Sequence, residues 1–192
     1  MTKYIDTAPI GMMIVDIDGT MSNDIERRSK LARDHDLMSY HKAFDMDMPT
    51  KHASHIWKFM ESAHHNDMLF FVTMRPEELM EPTIEWLAYH ISAKFLHYLD
   101  RNGPDPEDTF IMYNKNVENA NLRTVASAQS EHRVKQVKQC YERRDARASE
   151  WGLKTKEAVM FEDNIQNAIA VQKEFPGIVI FSPYITTTWQ GS

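Results

Sequence analysis

The chain has 192 residues, a formal net charge of −6 and 42% hydrophobic residues, which allows one domain with a substantial core. The negative charge argues against a broad surface for duplex nucleic acid, and the single cysteine, Cys140, excludes an intrachain disulfide and a cysteine-based zinc site. Because the sequence has no apolar run of membrane-spanning length and no secretory signal pattern, we expect a cytoplasmic protein with no membrane partner.

The most specific stretch lies near the start of the chain. The apolar run Met12–Val15 leads directly into Asp16 and Asp18, and Gly19 follows. A short apolar run that ends at a turn signal is typical of a strand buried on both faces of a parallel sheet. Since ligands of such sheets bind beyond the carboxyl ends of the strands, both carboxylates are predicted to project into a crevice there.

The first half of the chain then alternates between helical and strand patterns. A polar helix is predicted in Asn23–Met38 and an amphipathic helix in Ala53–His65, and a second apolar strand, Met68–Val72, ends at Thr73. Pro82 suits the first turn of another helix. The segment 23–50 is expected to form at most a small cap on a single domain that spans residues 1–192.

The second half continues this alternation. In chain order we predict an uncertain strand at Lys94–Leu99, a strand at Thr109–Tyr113, a polar loop at Asn114–Ala128, a long helix from Ser127 or Ser130 to about Trp151, a strand at Ala158–Phe161, a helix around Ile165–Gln172 and a last strand at Gly177–Phe181. The expected fold is therefore α/β, with three layers, a central mainly parallel sheet and Rossmann-like winding.

Three of the apolar runs end in side chains that can do chemistry. Asp16 and Asp18 follow the first run, Thr73 the second, and Glu162 with Asp163 a later one. Strands that run parallel bring these ends to one edge of the sheet. Four carboxylates in one crevice need a cation between them, and a site of carboxylates and water favours Mg²⁺.

Such a site suits phosphoryl transfer. One aspartate can attack phosphorus and form an aspartyl-phosphate. The aspartate two residues later can protonate the leaving oxygen and then accept a proton from the attacking water. A hydroxyl such as that of Thr73, together with a basic side chain, would bind the oxygens on which the transition state carries charge.

The stretch Asp16-Ile17-Asp18-Gly19-Thr20 resembles the signature of the haloacid dehalogenase-like (HAD) phosphohydrolase superfamily, and the later Thr73, lysine and Glu162-Asp163 recur in the order of that family. The resemblance implies that Asp16 is the nucleophile and a metal ligand. It implies that Asp18 is the general acid/base and binds the metal through its backbone carbonyl. By the same resemblance Thr73 and Thr20 contact the phosphate, and Glu162 and Asp163 hold Mg²⁺.

A narrower resemblance concerns the arginines. Arg27 lies eleven residues after Asp16, and Thr73-Met74-Arg75 precedes a helical segment, a pattern similar to that of the 3′-phosphatase domain of bacteriophage-type polynucleotide kinase/phosphatases. It implies that Arg27 and Arg75 bind the substrate. The chain departs from that pattern at Met112-Tyr113 and at Asn164, and it contains no GxxxxGK[ST] sequence, so a P-loop kinase half is absent.

The sequence leaves the phosphate-binding lysine open between two residues. Lys135 is the preferred residue because it lies in the first turns of the predicted long helix, whereas Lys138 lies closer to the apolar face set by Val134, Val137 and Tyr141. The basic stretch 132–147 contains this pair. It is predicted to be a solvated helix face whose first turns could also follow a nucleic-acid backbone.

The leading hypothesis is a Mg²⁺-dependent phosphatase that acts on nucleotides or on the 3′-phosphate ends of polynucleotides. Within the same reaction class, the alternative is a 5′-nucleotidase or another phosphatase of small metabolites. A different class is a catalytically silent module that binds nucleic acid or a partner, although the complete set of acidic residues argues against it.

Overall fold

The computed structural model describes residues 8–34, 37–103, 105–113 and 122–182. In chain order its strands and α-helices are β1 (Ile10–Asp16), β2 (Ser22–Asn23), α1 (Ile25–Asp34), α2 (Leu37–Lys42), β3 (Met48–Pro49), α3 (Ala53–Glu61), β4 (Met68–Pro76), α4 (Met80–His90), β5 (Phe110–Tyr113), α5 (Leu122–Trp151), β6 (Thr155–Phe161), α6 (Ile165–Glu174) and β7 (Val179–Phe181). Short 3₁₀-helices span Ala43–Met46, Glu77–Leu79, Ala93–Arg101 and Pro106–Asp108. Within the described ranges, no helix has the length and apolar character needed to cross a membrane.

The central sheet has five strands in the order β5-β4-β1-β6-β7, and every neighbouring pair is parallel. The chain thus winds outward from β1 in one direction through β4 and β5, and then in the other through β6 and β7. This is the doubly wound, Rossmann-like order, and its topological switch point lies between β1 and β6. The predicted α/β fold with a parallel sheet is confirmed.

The side chains of β1 point alternately to the two faces of the sheet, and each face is covered by a layer of helices. Met12 and Ile14 belong to a core cluster that includes Val137 of α5 and Val171 of α6. Met13 and Val15 face the opposite side, where the core is built with residues of α3, α4 and the 3₁₀-helix Ala93–Arg101. A strand covered on both faces has to be continuously apolar, which is why this one is readable in the sequence.

A small insertion leaves the sheet after β1 and returns before α3. Its two ends pair as an antiparallel ribbon of β2 and β3, with Ser22 opposite Pro49 and Asn23 opposite Met48. The helices α1 and α2 lie between β2 and β3 in the chain. The insertion also contacts α4, where the indole N–H of Trp86 donates to the Asp47 carbonyl at 3.0 Å. The insertion is thus fastened beside the carboxyl end of β1.

Three sequence predictions differ from the structure. The polar segment 23–38 begins with Asn23 of β2 and is helical only from Ile25 onward, with residues 35 and 36 outside the described part of the chain. The strand predicted at Lys94–Leu99 is a 3₁₀-helix. The loop predicted at 114–128 is helical from Leu122 onward, and its first part, 114–121, lies outside the described residues.

Candidate active site

Polar side chains from three adjacent strands meet at the carboxyl edge of the sheet. Asp16 is the last residue of β1 and lies opposite Val72, one position before Thr73 of β4. On the other side, Val15 lies opposite Phe161, so Asp16 is level with Glu162 directly after β6. The convergence predicted from the sequence follows from this parallel register.

The acidic cluster consists of Asp16, Glu162 and Asp163, which offer one carboxylate oxygen each within 4.8 Å of one another. Asp16 is 2% exposed and Glu162 is 0% exposed. Burial raises the pKa of Asp16 well above its usual value, the charge of Arg133 opposes the rise, and the neighbouring carboxylates add to it. Burial also raises the pKa of Glu162, again against Arg133.

The donor set of this cluster fits a hard divalent cation. All its candidate ligands are oxygens, as Mg²⁺ prefers. Glu162 Oε1 accepts from the Asn164 backbone at 3.1 Å and from Asn167 Nδ2 at 3.3 Å, whereas the buried Oε2 accepts no hydrogen bond from the described residues. This oxygen is instead paired with Arg133 Nε, 2.9 Å away, so the fit to a cation rests on the three carboxylates, which lie within 4.8 Å of one another.

The Asp18 carboxylate lies outside this cluster and is bound by arginines instead. It accepts from Arg27 Nη2 at 2.7 Å, from Arg75 Nη2 at 2.7 Å and Nε at 3.0 Å, and from the Thr73 hydroxyl at 2.9 Å. Burial alone would raise the pKa of Asp18, but the charges of Arg75 and Arg27 outweigh it and hold that pKa far below its usual value. Asp18 is therefore ionised in this arrangement.

Both arginines are fixed by the insertion and by α4. Arg27 donates from Nε and Nη2 to the two oxygens of Asp47, at 2.8 and 2.5 Å. Arg75 is fully buried, lies 4.2 Å from the centroid of the Phe44 ring and donates to Thr83 Oγ1 at 3.1 Å. The structure thus brings Arg27 and Arg75 to the crevice, where both contact Asp18.

Gly19 and Thr20 join the loop after β1 to the loop after β6. The Thr20 hydroxyl donates to Asp16 Oδ2 at 3.1 Å and accepts from the Asp163 backbone N–H at 3.0 Å. Gly19 has a φ of +93°, and a β-carbon there would lie 2.2 Å from Asp163 Oδ2. The buried Thr20 hydroxyl therefore positions two carboxylates, and a glycine leaves the space beside them.

The basic residue that reaches the acidic cluster from α5 is Arg133. Its Nη2 donates to Asp16 Oδ1 at 2.5 Å, and its Nε lies 2.9 Å from Glu162 Oε2 as an ion pair. Lys135 is exposed two positions later, on another face of the helix, and Lys138 is exposed and lies 3.9 Å from Glu142. In the structure, Arg133 contacts the acidic cluster, whereas the predicted Lys135 and its alternative Lys138 are exposed to solvent.

Gln136 fixes the end of α5 that carries Arg133. Its amide donates to the carbonyls of Thr73 and Ile111, both at 2.8 Å, and its oxygen accepts from Arg133 Nη1 at 3.1 Å. One buried side chain therefore connects β4 and β5 to the arginine. Arg133 was missed because the apolar helix face predicted from the sequence, which contains Val134 and Tyr141, is shifted by one position from the face that is buried in the structure. The buried positions 133, 137, 140, 144 and 148 follow a helical period in which two arginines interrupt the apolar pattern.

The basic stretch 132–147 is largely occupied by contacts within the chain. Arg143 donates to the Glu107 carbonyl, Arg144 to the Lys156 carbonyl and Arg147 to the Asn102 carbonyl. These carbonyls lie before or at the start of β5 and β6, at the edge of the sheet opposite the acidic cluster. The three guanidinium groups fasten loops there.

The protein thus has a three-layer α/β fold with an acidic crevice at the topological switch point of its sheet. No protein-family model and no curated protein matches the chain. Among solved structures it is similar to the Pnkp1/Rnl/Hen1 complex, with 16% identity over 92% of this chain and a TM-score of 0.47, and it covers 47% of that chain, about half its length.

The HAD domain of the effector protein Lem4 from Legionella pneumophila is also similar, at 11% identity and a TM-score of 0.43, and so is its inactive mutant, at 9% identity and a TM-score of 0.45. Each match covers 91% of this chain and 86% of the other.

Proposed function

We propose that the protein is a Mg²⁺-dependent phosphomonoester hydrolase that works through an aspartyl-phosphate at Asp16. The observation that supports it best is the pairing of two aspartates with opposite surroundings. Asp16 lies in an acidic cluster suited to a cation, whereas Asp18, two residues later, is surrounded by guanidinium and hydroxyl donors. An attacking carboxylate and a proton-transfer carboxylate need such different environments.

In the first step, an Asp16 oxygen forms a bond to phosphorus while the bond from phosphorus to the ester oxygen breaks. Because burial and neighbouring charge favour the protonated form of Asp16, its attack requires positive charge close by. Arg133 supplies part of this charge. Mg²⁺ held by Asp16, Glu162 and Asp163, with the Asp18 carbonyl, would supply the remainder and polarise a phosphate oxygen.

Asp18 transfers the protons in both steps. The leaving oxygen takes a proton from Asp18 in the first step, and in the second Asp18 accepts a proton from the water that attacks phosphorus and releases Asp16. Asp18 can be protonated only when its two guanidinium partners are drawn away, since they stabilise the ionised form. A phosphate with two negative charges competes for these partners, so substrate binding itself prepares Asp18.

The remaining donors bind the oxygens of the transferred phosphoryl group. The Thr73 hydroxyl, which donates to Asp18, lies in β4 one position after Val72, the residue opposite the reacting Asp16. Arg133 takes the part that the sequence had suggested for Lys135, because it is the side chain of α5 in contact with Asp16. Fixed donors of this kind stabilise the charge that develops in the transition state.

The test of the reaction class is Asp16→Asn with p-nitrophenyl phosphate in the presence and absence of Mg²⁺. Phosphate release by the wild type should require Mg²⁺, and the variant should lose it by a factor of about 10⁴ or more. Asp45→Asn, which changes an exposed aspartate of the insertion, is the matched control and should keep its activity. Equal turnover by Asp16→Asn and wild type would overturn the aspartyl-phosphate mechanism, and no turnover by wild type would favour a silent binding module.

As substrate we propose nucleotides or polynucleotide 3′-phosphate ends. The support is that Arg27 and Arg75, on which the narrower resemblance depends, both reach Asp18. A 3′-phosphorylated oligonucleotide should then be hydrolysed at a higher kcat/KM than a panel of nucleoside 5′-monophosphates. Preference for the 5′-monophosphates would instead favour the 5′-nucleotidase alternative.

A further inference from the structure

Arg28 contacts two residues of the proposed metal site. Its Nη2 lies 3.1 Å from Asp163 Oδ2 and 3.2 Å from the backbone carbonyl oxygen of Asp18. Asp163 belongs to the cluster, and the Asp18 carbonyl is the further ligand of the proposed metal site. A nitrogen that bridges two oxygens lies close to the position of a cation bonded to both.

A cation bound to these oxygens would lie close to the Arg28 guanidinium. A β-carbon on Gly19 would lie 2.2 Å from Asp163 Oδ2 and 2.5 Å from Arg28 Nη2, so the backbone closes one side of this space. Mg²⁺ bonds to oxygen at about 2.1 Å, which would place it within roughly 5 Å of the guanidinium nitrogen. Two positive charges at that separation repel each other, and the backbone at Gly19 prevents either group from moving in that direction.

Arg28 and Arg133 differ in their freedom to give way. The Arg133 side chain is 3% exposed and is fixed by Gln136 as well as by two carboxylates. The Arg28 side chain is 49% exposed, and its Nε is anchored by Asp24 Oδ2 at 2.6 Å, an oxygen that also accepts from the Tyr40 hydroxyl. Arg28 can therefore swing outward about this anchor, whereas Arg133 cannot leave without unpairing buried charges.

We propose that Arg28 is displaced by the divalent cation and that its guanidinium lowers the affinity of the acidic cluster for the metal. The proposal rests on the metal dependence in the proposed function. Cation binding breaks the contacts of Arg28 with Asp163 and with the Asp18 carbonyl, and the contact with Asp24 keeps the released guanidinium at the mouth of the crevice.

The test is direct binding of Mn²⁺, measured by the electron paramagnetic resonance signal of the free ion, without any substrate. Arg28→Gln should bind Mn²⁺ roughly tenfold more tightly than wild type, the effect expected from one lost charged contact. Arg28→Lys, which keeps the charge, should lie between the two. Lys138→Gln removes one positive charge from an exposed position on α5 and should bind within twofold of wild type.

A second measurement follows Arg28 itself in the wild-type protein. The Arg28 Nε–H resonance should shift when Mg²⁺ saturates the wild type and should stay unchanged in Asp163→Asn. Equal or weaker Mn²⁺ binding by Arg28→Gln, with binding lost in Asp163→Asn, would overturn the role of Arg28 and leave the metal site intact. Absence of Mn²⁺ binding in every variant would instead remove the metal from the proposed function and this inference with it.

Discussion

Gly19 shows how strongly one residue can constrain the crevice. Its φ of +93° is unfavourable for other L-residues, and an added β-carbon would collide with Asp163 and Arg28. We predict that Gly19→Ala lowers kcat/KM for a generic phosphomonoester by about a hundredfold, because misplacement of reacting groups by about 1 Å has this effect. Steady-state kinetics and urea unfolding together measure the change.

The matched control for that prediction is Gly152→Ala. Gly152 also has a positive φ, +66°, but a β-carbon there would meet nothing within 4 Å. Both variants should lose about 1 kcal/mol of stability through backbone strain, whereas only Gly19→Ala should lose activity. Equal activity losses would show that general strain, and not the collision at Asp163, is responsible.

His41 gives the fold a predicted dependence on pH. It is buried in the insertion, and burial lowers its pKa to about 4 from an ordinary value of 6.5. Between these two values the unfolded chain binds a proton that the folded chain excludes. Stability contributed by neutral His41 is therefore complete above about pH 6.5 and decreases as the pH falls toward 4. Thermal unfolding from pH 7 to pH 5 should show a falling Tm with a smaller slope in His41→Gln, and identical slopes would contradict the assignment.

At the scale of elements, the strands that carry the site were predictable because they are buried on both faces. The apolar runs before Asp16, Thr73 and Glu162 are four or five residues long, and parallel pairing brings the residues that follow them to one edge of the sheet. The 3₁₀-helix Ala93–Arg101 was mistaken for a strand because its core residues, Phe95 and Tyr98, are spaced by three, a period that short segments do not distinguish well from alternation.

Arg133 and Asn102 illustrate what no local pattern reveals. The role of Arg133 depends on the carboxylates of Asp16 and Glu162, which belong to other elements. Because arginine is charged, the sequence pattern does not assign position 133 to the buried face of the helix. Asn102 lies after a 3₁₀-helix, and its side chain bonds to the backbone of β4 at Leu69, before the pairing of β4 with β5 begins at Phe71. It accepts from the Leu69 backbone N–H at 3.1 Å and donates to the carbonyls of Leu69 and Asp108 at 2.6 and 3.0 Å.

Asn102→Ala should therefore destabilise the fold by about 3 kcal/mol, because it leaves buried backbone groups of β4 without partners. Urea unfolding measures this loss. Asn66→Ala is the control, since Asn66 is equally buried but its side-chain amide makes, among the described residues, one long contact of 3.4 Å with the Ala8 carbonyl. A loss below 1 kcal/mol for Asn102→Ala, or one no larger than that of the control, would contradict the role given to the Asn102 side chain.

At the scale of the whole molecule, the distribution of charge limits how a polynucleotide could bind. The chain carries a net charge of −6, and its crevice arginines, Arg27, Arg75 and Arg133, are buried against carboxylates. The arginines late in α5 fasten loops at the opposite edge of the sheet. Few exposed cations are thus available to follow a strand away from the reacting phosphate, chiefly Arg28 and Lys135 among the described residues near the crevice.

This distribution predicts a weak dependence on salt. Each backbone phosphate of a single strand that is neutralised by a protein cation contributes a slope of roughly −0.7 to a plot of log affinity against log salt concentration. Binding of a 3′-phosphorylated oligonucleotide to Asp16→Asn, followed by fluorescence anisotropy at rising salt, should give a slope of about −1 to −2. Lys135→Gln should reduce its magnitude by less than one, and Lys138→Gln should not change it. A slope of about −5 or steeper would show an extended cationic track, and the protein would then recognise the strand and not only its terminal phosphate.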